Sequence, residues 1–391
     1  MSWEEFSLDQ LGFVSRGKSR HRPRDAEHLY GGPYPFVQTG DVKHAGLYLT
    51  EYNQTYSEAG LAQSKLWPVG TLCITIAANI ADTSILGIDA CFPDSVIGFI
   101  PDKEKADARF VKYMFDAKLK LQYRQFTQGA AQDNLSQKKL LSLKFSVPKI
   151  DVQREIADVV ASYDELIGNN IHRIQLLEES ARLLYREWFV HLRFPGHEHV
   201  KVVDGVPEGW SIKPLTDIAD MVMGQSPKSE YYNDTGDGYP FHQGVTNYGE
   251  RFVEHVTYCS KPTRLAESGD ILCSVRAPVG RLNITLDKIT IGRGLSALRS
   301  KTGNQSFLYY QLKTYFFKEN IIGSGAIYAA VTKKDMENIP LLTPTTKLIE
   351  EFEENSKSID AQIQNLTNQN RQLSAARDLL LPRLMNGDIA V

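Results

Sequence analysis

Residues 156–188 read IADVVASYDELIGNNIHRIQLLEESARLLYREW. In steps that alternate between four and three residues, from Ile156 to Trp188, nine of the ten positions are apolar or aromatic. This heptad spacing predicts a long helix that packs against a second helix. The tenth position is Asn170, and a polar residue in such a seam fixes the register of the two helices at some cost in stability.

The same pattern occurs a second time in residues 352–384, which read FEENSKSIDAQIQNLTNQNRQLSAARDLLLPRL. Position 352 lies 196 residues after position 156, and the same offset relates Pro148 to Pro344. Upstream the offset drifts, but Trp3 still has a counterpart in Trp210. A repeat of this length predicts two copies of one unit, each a globular domain followed by a long helix.

The two helices are predicted to pack on each other as an antiparallel coiled coil. A helix of about 39 residues would be roughly 58 Å long, which exceeds the width of a domain of ~150 residues. Packing of each helix on its own domain is the alternative. The seam residues of these spacer and partner-binding helices are Ile156, Tyr163, Ile167, Asn170, Ile174, Leu177, Leu184, Trp188, Ile359, Ile363, Leu366, Asn370, Leu373 and Leu380.

This organisation belongs to the α+β class, with two mixed α/β domains separated by two long helices and a pseudo-twofold internal repeat. Turn residues followed by short apolar runs, at 70–76 and 269–275, support mixed domains with short strands. The predicted boundaries are 1–150 for the first domain, 151–191 for the central helical region, 192–208 for a linker, 209–344 for the second domain and 345–391 for the C-terminal helical region.

Composition limits the class of protein. The chain has 391 residues, 42% of them hydrophobic, and a formal net charge of −3. It has no apolar run of the ~20 residues that a membrane span needs, and its start, MSWEE, does not resemble a signal peptide. Its four cysteines show neither metal-site nor disulfide spacing. We therefore expect a cytoplasmic protein without a metal site, in which any nucleic-acid contacts come from local basic clusters.

The densest basic cluster, residues 16–24, overlaps a phosphate-loop pattern. Residues 12–19 read GFVSRGKS and match G-x-x-x-x-G-K-[ST]. A nucleotide site needs a buried strand before the loop and a helix after it, whereas the preceding residues are few and polar and Pro23 follows. We predict that the cluster contacts DNA phosphates. An NTPase site at 12–19 is the alternative, and Lys18→Ala would then abolish nucleotide binding.

Polar loops follow corresponding strands in both domains, and their Gln, Asn and Arg residues can hydrogen-bond base edges. Ordinary surface turns are the alternative interpretation. No catalytic residues are predicted, since the chain contains no H-x-x-x-H, C-x-x-C or G-x-S-x-G motif. It also contains no Pro-Pro sequence and so lacks the adenine-methylase signature. The predicted DNA-binding residues are Arg16, Lys18, Arg20, Arg22, Arg24, Gln38, Thr39, Asn79, Gln128, Gln132, Asn134, Gln225, Ser226, Lys228, His242, Gln243, Arg276, Arg281, Arg293 and Tyr328.

Several local sequences resemble those of the specificity subunit of type I restriction–modification systems. They are LLYREWF at 183–189, LLLPRLMNGDI at 379–389, GQSP at 224–227, GDIL at 269–272, RAPVG at 276–280 and GRG at 292–294. Together with the repeat, they cover essentially the whole chain. The first domain departs from the pattern, since it has RGKS at 16–19 and AANI at 77–80, so contact residues cannot be copied from one domain to the other.

The resemblance implies that each globular domain is a target-recognition domain that reads one half of a bipartite site in double-stranded DNA. The helices would then act as a spacer across an unread gap. The chain itself would be non-catalytic and bind no cofactor. Two methylase subunits would use S-adenosylmethionine to methylate adenine N6, and two restriction subunits would use ATP and Mg²⁺. A scaffold or dimerisation protein with two protein-binding domains is the alternative from a different class.

Overall fold

The computed structural model describes residues 3–77, 80–119, 136–318 and 330–389. The chain divides into two compact units: unit 1 consists of Met1–Arg173 with Leu366–Val391, and unit 2 of Ile174–Asn365. Each unit therefore contains one globular domain and one part of each long helix.

The globular part of unit 1 is built on two β-sheets. The five-stranded sheet is antiparallel except at its last pair, and its order is Gly12–Arg16, Val96–Pro101, Leu72–Thr75, Thr83–Leu86 and Tyr48–Leu49. The four-stranded sheet has the order Gln54–Tyr56, Tyr30–Phe36, Ala90–Cys91 and Leu66–Trp67. A two-stranded ladder of Glu4–Phe6 with Phe145–Val147 joins the beginning of the domain to its end.

Short helices cover these sheets. They are Leu8–Leu11, Thr39–His44, Glu58–Ala62, Gln137–Ser142 and Ala108–Met114, the last of which continues as a π-helical turn over Phe115–Leu119. The carboxylate of Asp107 caps the helix Ala108–Met114 by accepting hydrogen bonds from the backbone N–H groups of Arg109 and Phe110. The hydrophobic core of the domain extends onto both long helices, through Ile156 and Val160 on one and Leu384 on the other.

Unit 2 repeats this architecture. Its antiparallel four-stranded sheet has the order Ala219–Met223, Leu295–Ser300, Ile271–Ser274 and Leu282–Ile284. Its five-stranded sheet has the order Tyr232–Asn233, Tyr258–Cys259, Tyr239–His242, Ile289–Ile291 and Leu265–Ala266. Ser211–Pro214 pairs with Pro340–Thr343, and the helices are Leu215–Ile218, Gln305–Lys318 and Lys333–Glu337. The four free cysteines of the chain are buried in the two domains.

The predicted linker at 192–208 contains a small hairpin of its own. Val202–Val203 pairs with Val206–Pro207, and the turn residues Asp204 and Gly205 have φ angles of 49° and 78°. An Asp-Gly pair with two positive φ angles is the usual two-residue hairpin turn.

The central helix spans Ile150–Tyr185, followed by a π-helical turn at Arg186–Val190, and the C-terminal helix spans Thr346–Met385. In unit 1, Asp164 pairs with Arg377 and Asn170 with Asn370, so the two helices run antiparallel. In unit 2, the rings of Tyr185 and Phe352 lie 5.7 Å apart, which fits the same direction.

The helix–helix packing confirms the antiparallel prediction. All fourteen predicted seam residues are buried or half-buried. Because the core of unit 1 also includes both helices, each helix packs on a globular domain as well as on its neighbour. Among the described residues, none of the helices combines the length and the apolar character that a membrane crossing requires.

Candidate nucleic-acid interface

Three segments that contain predicted DNA-binding residues contact one another in unit 2. The Ser226 hydroxyl donates a hydrogen bond to Oε1 of Gln243 over 2.8 Å, and it accepts one from the backbone N–H of Arg293 over 3.2 Å. The backbone N–H of Gln225 donates to the carbonyl of Ile291 at 3.0 Å and fixes the segment beside the sheet. The GQSP segment, the end of the strand Tyr239–His242 and the GRG segment therefore form a single surface.

The glycines of the GRG segment allow this close packing. A Cβ atom on Gly292 would lie 2.5 Å from Oε1 of Gln243, and a Cβ on Gly294 would lie 2.4 Å from the Gln243 carbonyl oxygen. Such distances are shorter than van der Waals contact, so only glycine permits the backbone to approach Gln243 in this way.

A cationic loop borders this surface. The backbone N–H of Val275 donates to the carbonyl of Gly294 at 2.9 Å, which joins the loop 275–281 to the GRG segment. Arg276, Arg281 and Arg293 are exposed. Within the described part of the chain these three arginines form no ion pair, so their charges are available to a ligand. Lys228 is also exposed and lies 3.9 Å from the carboxylate of Glu230.

His242 does not fit the predicted role of a base-contacting residue. It is 2% exposed and ends the strand Tyr239–His242, in which Phe241 is buried as well. Its Nε2 lies 2.9 Å from Nδ1 of His255, whose Nε2 lies 3.1 Å from Asp287. Burial, with the neighbouring His255, lowers the pKa of His242 to about 4. The prediction that His242 contacts a base is therefore wrong, because its side chain is buried and bonded within the domain. Among the described residues, no group of three or more His, Cys, Asp or Glu side chains could hold a metal ion.

Unit 1 reproduces the backbone of this site. The N–H of Gly17 donates to Val96 at 2.9 Å and that of Lys18 to Phe92 at 3.0 Å, as Gly224 and Gln225 do in unit 2. Residues 12–16 form an edge strand, and no helix follows them. Because a phosphate loop needs free N–H groups at a helix N-terminus, this geometry contradicts the nucleotide-binding alternative.

Part of the basic cluster holds its own domain together. Nε of Arg16 donates to the carbonyl of Asp94 at 2.7 Å, and Arg24 pairs with the Asp94 carboxylate at 3.0 Å. Arg22 donates to the carbonyl of Ser19 at 2.8 Å. By contrast, the side chain of Arg20 is exposed and contacts no hydrogen-bond or ion-pair partner in the described ranges.

Lys65 belongs to the same face of unit 1 but was not among the predicted DNA-binding residues. Its ammonium nitrogen lies 3.6 Å from the Trp67 ring centroid and 4.6 Å from that of Phe13. Burial, with the positive charge of Lys18, lowers the pKa of Lys65. No sequence signal could have identified Lys65, because it stands apart from the basic cluster and is brought to it only by the sheet.

The two domains carry different charged side chains at equivalent backbone positions. Thr75 bonds to the carbonyl of Asp82 as Ser274 bonds to that of Arg281, so Asp82 occupies the position of Arg281. Asp94, in the same way, occupies the position of Arg293, two residues before equivalent strands. On the corresponding face of unit 1, the positive charges therefore come from other positions, namely the segment 16–24 and Lys65.

The remaining predicted contact residues are placed as follows. Gln38 is exposed, and its Nε2 donates to Oε1 of Gln54 at 2.6 Å. Thr39 begins the helix Thr39–His44. Five predicted residues lie outside the described ranges: Asn79, Gln128, Gln132, Asn134 and Tyr328.

Comparison with known proteins agrees with this architecture. The type I restriction modification DNA specificity domain matches residues 1–179 and 207–373. The putative type I restriction enzyme MjaX specificity subunit of Methanocaldococcus jannaschii is 31% identical over 298 residues, which are 74% of this chain and 70% of that protein. The type I restriction enzyme HindI specificity subunit of Haemophilus influenzae is 23% identical over 473 residues and is matched over 99% of both proteins.

The fold also has a counterpart among solved structures. The crystal structure of the type I restriction-modification system S subunit from M. genitalium has a TM-score of 0.61 to this chain, at 16% identity over 98% of this chain and 96% of that one. The family match covers most of both repeats, and the MjaX subunit is similar over most of its length. This chain therefore belongs to the family of type I restriction modification DNA specificity domains.

Proposed function

We propose that this protein is the DNA specificity subunit of a type I restriction–modification complex. The observation that carries the proposal is the surface of unit 2, where Gln225 and Gln243 lie beside three exposed arginines that have no ion-pair partner among the described residues. Arginine binds phosphates and guanine, and glutamine hydrogen-bonds base edges. A surface that combines the two can hold a duplex and read it.

The two domains read different halves of the site. Their backbones are equivalent, but Asp82 and Asp94 replace Arg281 and Arg293, so the same bases and phosphates cannot be bound in the same way. The helices serve as a rigid spacer, and the bases between the half-sites remain unread. Two readers on one face of B-DNA require half-sites about one helical turn apart, roughly 34 Å. A rigid link also raises the effective concentration of the second half-site.

This chain determines which DNA sequence the complex recognises, and other subunits catalyse the reactions. Two methylase subunits methylate adenine N6 with S-adenosylmethionine, and two restriction subunits use ATP and Mg²⁺; this chain binds none of these cofactors. Exposed leucines on the long helices support docking of the methylase subunits there. Leu176 and Leu183 are one heptad apart on the central helix, and Leu379 is the counterpart of Leu183 at the offset of 196.

Methylation mapping tests the proposal. The complex is assembled from this chain and methylase subunits, and modified adenines are located in a DNA library. We expect a bipartite motif with a fixed gap, which disappears when this chain is replaced by another specificity subunit. A contiguous motif, or methylation that does not depend on this chain, would contradict the proposal. Absence of any sequence preference would favour a scaffold.

A second form of the experiment tests the spacer. Removal of one heptad from both helices shortens them by about 10 Å, or about three base pairs. We expect both half-sites to be kept and only the gap to change. An altered half-site at an unchanged gap would contradict the spacer role.

A further inference from the structure

The contact between Ser226 and Gln243 determines which end of the Gln243 amide faces outward. Oε1 of Gln243 accepts the hydrogen bond from the Ser226 hydroxyl at 2.8 Å. The same oxygen packs against Gly292, where even a Cβ atom would lie only 2.5 Å away. Oε1 is therefore directed toward the protein, and Nε2, on the opposite side of the planar amide, is directed away from it.

The hydrogen-bond partners of Ser226 fix this orientation. Its oxygen already accepts the backbone N–H of Arg293 at 3.2 Å, and a serine hydroxyl has a single proton to donate. That proton needs an acceptor, and among the described residues its acceptor is Oε1 of Gln243. A reversed amide would turn the NH₂ group toward Ser226 and leave the hydroxyl proton without this acceptor.

We propose that Gln243 reads its base only as a hydrogen-bond donor, so that guanine is preferred over adenine, and that Ser226 is the positioning residue for this choice. The inference rests on the proposed function. A free glutamine amide pairs with adenine by donating to N7 and accepting from N6. With Oε1 held inward, adenine N6 meets no acceptor, whereas guanine offers two acceptors, O6 and N7, to the outward NH₂ group.

Unit 1 does not share this arrangement. The counterpart of Ser226 is Ser19, which is buried and lies 3.3 Å from the hydroxyl of Tyr56. The counterpart of Gln243 is Gln38, whose amide contacts Gln54. The serine–glutamine hydrogen bond that orients the amide is therefore specific to unit 2. The half-site read by unit 1 is thus an internal control for any change at Ser226.

The test uses the full chain in its complex with methylase subunits, on a DNA library with random bases at both half-sites. In the wild type, one position of the unit 2 half-site should favour guanine over adenine by about tenfold, as expected for one base contact. Gln243→Glu replaces the outward donor with an acceptor, so this position should change to adenine or cytosine. Ser226→Ala frees the amide, and the guanine preference should fall to near parity with adenine. Ser226→Thr keeps the hydroxyl and should keep the preference.

Three results would overturn the inference. The first is a wild-type preference for adenine or cytosine at the position whose base Gln243→Glu alters. The second is an unchanged base preference at every position in both Gln243→Glu and Ser226→Ala. The third is a loss of preference in Ser226→Thr equal to that in Ser226→Ala. If Gln243→Glu abolishes methylation, the comparison of Ser226→Ala with Ser226→Thr alone tests the inference. A wild-type complex that reads no bipartite site would instead contradict the proposed function, so the two failures are distinguishable.

Discussion

The side-chain nitrogen of Asn170 donates a hydrogen bond to Oδ1 of Asn370 over 2.9 Å, across the seam of the two long helices. Asn170 is only 1% exposed, and the amide of Asn370 also faces the carbonyl of Ile167 at 3.5 Å. The asparagine of each helix thus finds its partner in the asparagine of the other. A buried amide pair of this kind fits only one register of the two helices.

Replacement of one asparagine should therefore cost more than replacement of both. Asn170→Leu leaves the Asn370 amide without its partner, and we expect a loss of about 1–3 kcal/mol in the free energy of unfolding. The double variant Asn170→Leu with Asn370→Leu removes both polar groups and should recover most of this loss. Urea denaturation of the wild type, Asn170→Leu, Asn370→Leu and the double variant measures the difference. A double variant as unstable as the sum of the two single variants would contradict the pairing.

The repeat and the helices could be predicted because they depend on local sequence. The heptad spacing from Ile156 to Trp188 is visible without any knowledge of the fold, and the seam residues are indeed buried. The details of the interface depend on contacts between distant residues. Arg24 lies 70 residues from its partner Asp94, and Ser226 lies 17 from Gln243 and 67 from Arg293. No pattern in the sequence shows which basic residues, such as Arg24, are already paired with another residue of the protein.

The burial of Arg251 in unit 2 could not be predicted from the sequence either. The Arg251 side chain is 3% exposed, and its two terminal nitrogens contact Glu178 at 2.7 Å and Asp360 at 2.5 Å. The Tyr310 hydroxyl completes the cluster at 2.9 Å. Arg251 thus joins the second domain to both long helices within unit 2.

Arg251→Met should destabilise unit 2 strongly. The variant leaves the largely buried Asp360 without its cation, while Glu178 keeps only Lys313, at 3.4 Å. Breaking a buried pair in this way costs about 3–5 kcal/mol. Lys288→Met is the matched control, because Lys288 and its partner Glu267 are both exposed and surface pairs contribute little. Thermal and urea unfolding measure both variants. Equal effects of the two substitutions would show that the Arg251 cluster does not hold the unit together.

Acid should destabilise unit 2 through His242. Burial lowers its folded pKa to about 4, whereas an unfolded histidine titrates near 6.5. The unfolded state therefore binds more protons between these values, and stability falls as the pH drops from about 6.5 to 4, by about 3 kcal/mol in all. His242→Val introduces the residue that unit 1 has at this position, Val37, and should remove this part of the pH dependence. Urea midpoints measured at intervals from pH 7.5 to 4.5 test this. Parallel curves for the two proteins would contradict the assignment.

The basic segment of unit 1 should separate into residues that contact DNA and residues that hold the domain. The Arg20 side chain has no partner in the described part of the chain, whereas the exposed Arg24 is paired with Asp94 at 3.0 Å. If Arg20 neutralises one phosphate, Arg20→Ala should reduce the slope of log K against log salt by about 0.9. Arg24→Ala is the matched control and should leave the slope nearly unchanged, because its charge is already compensated. The measurement is a salt titration of DNA binding by the complex with methylase subunits. Equal reductions in slope would show that Arg24 leaves Asp94 to bind phosphate, and no reduction for Arg20→Ala would place the DNA away from this segment.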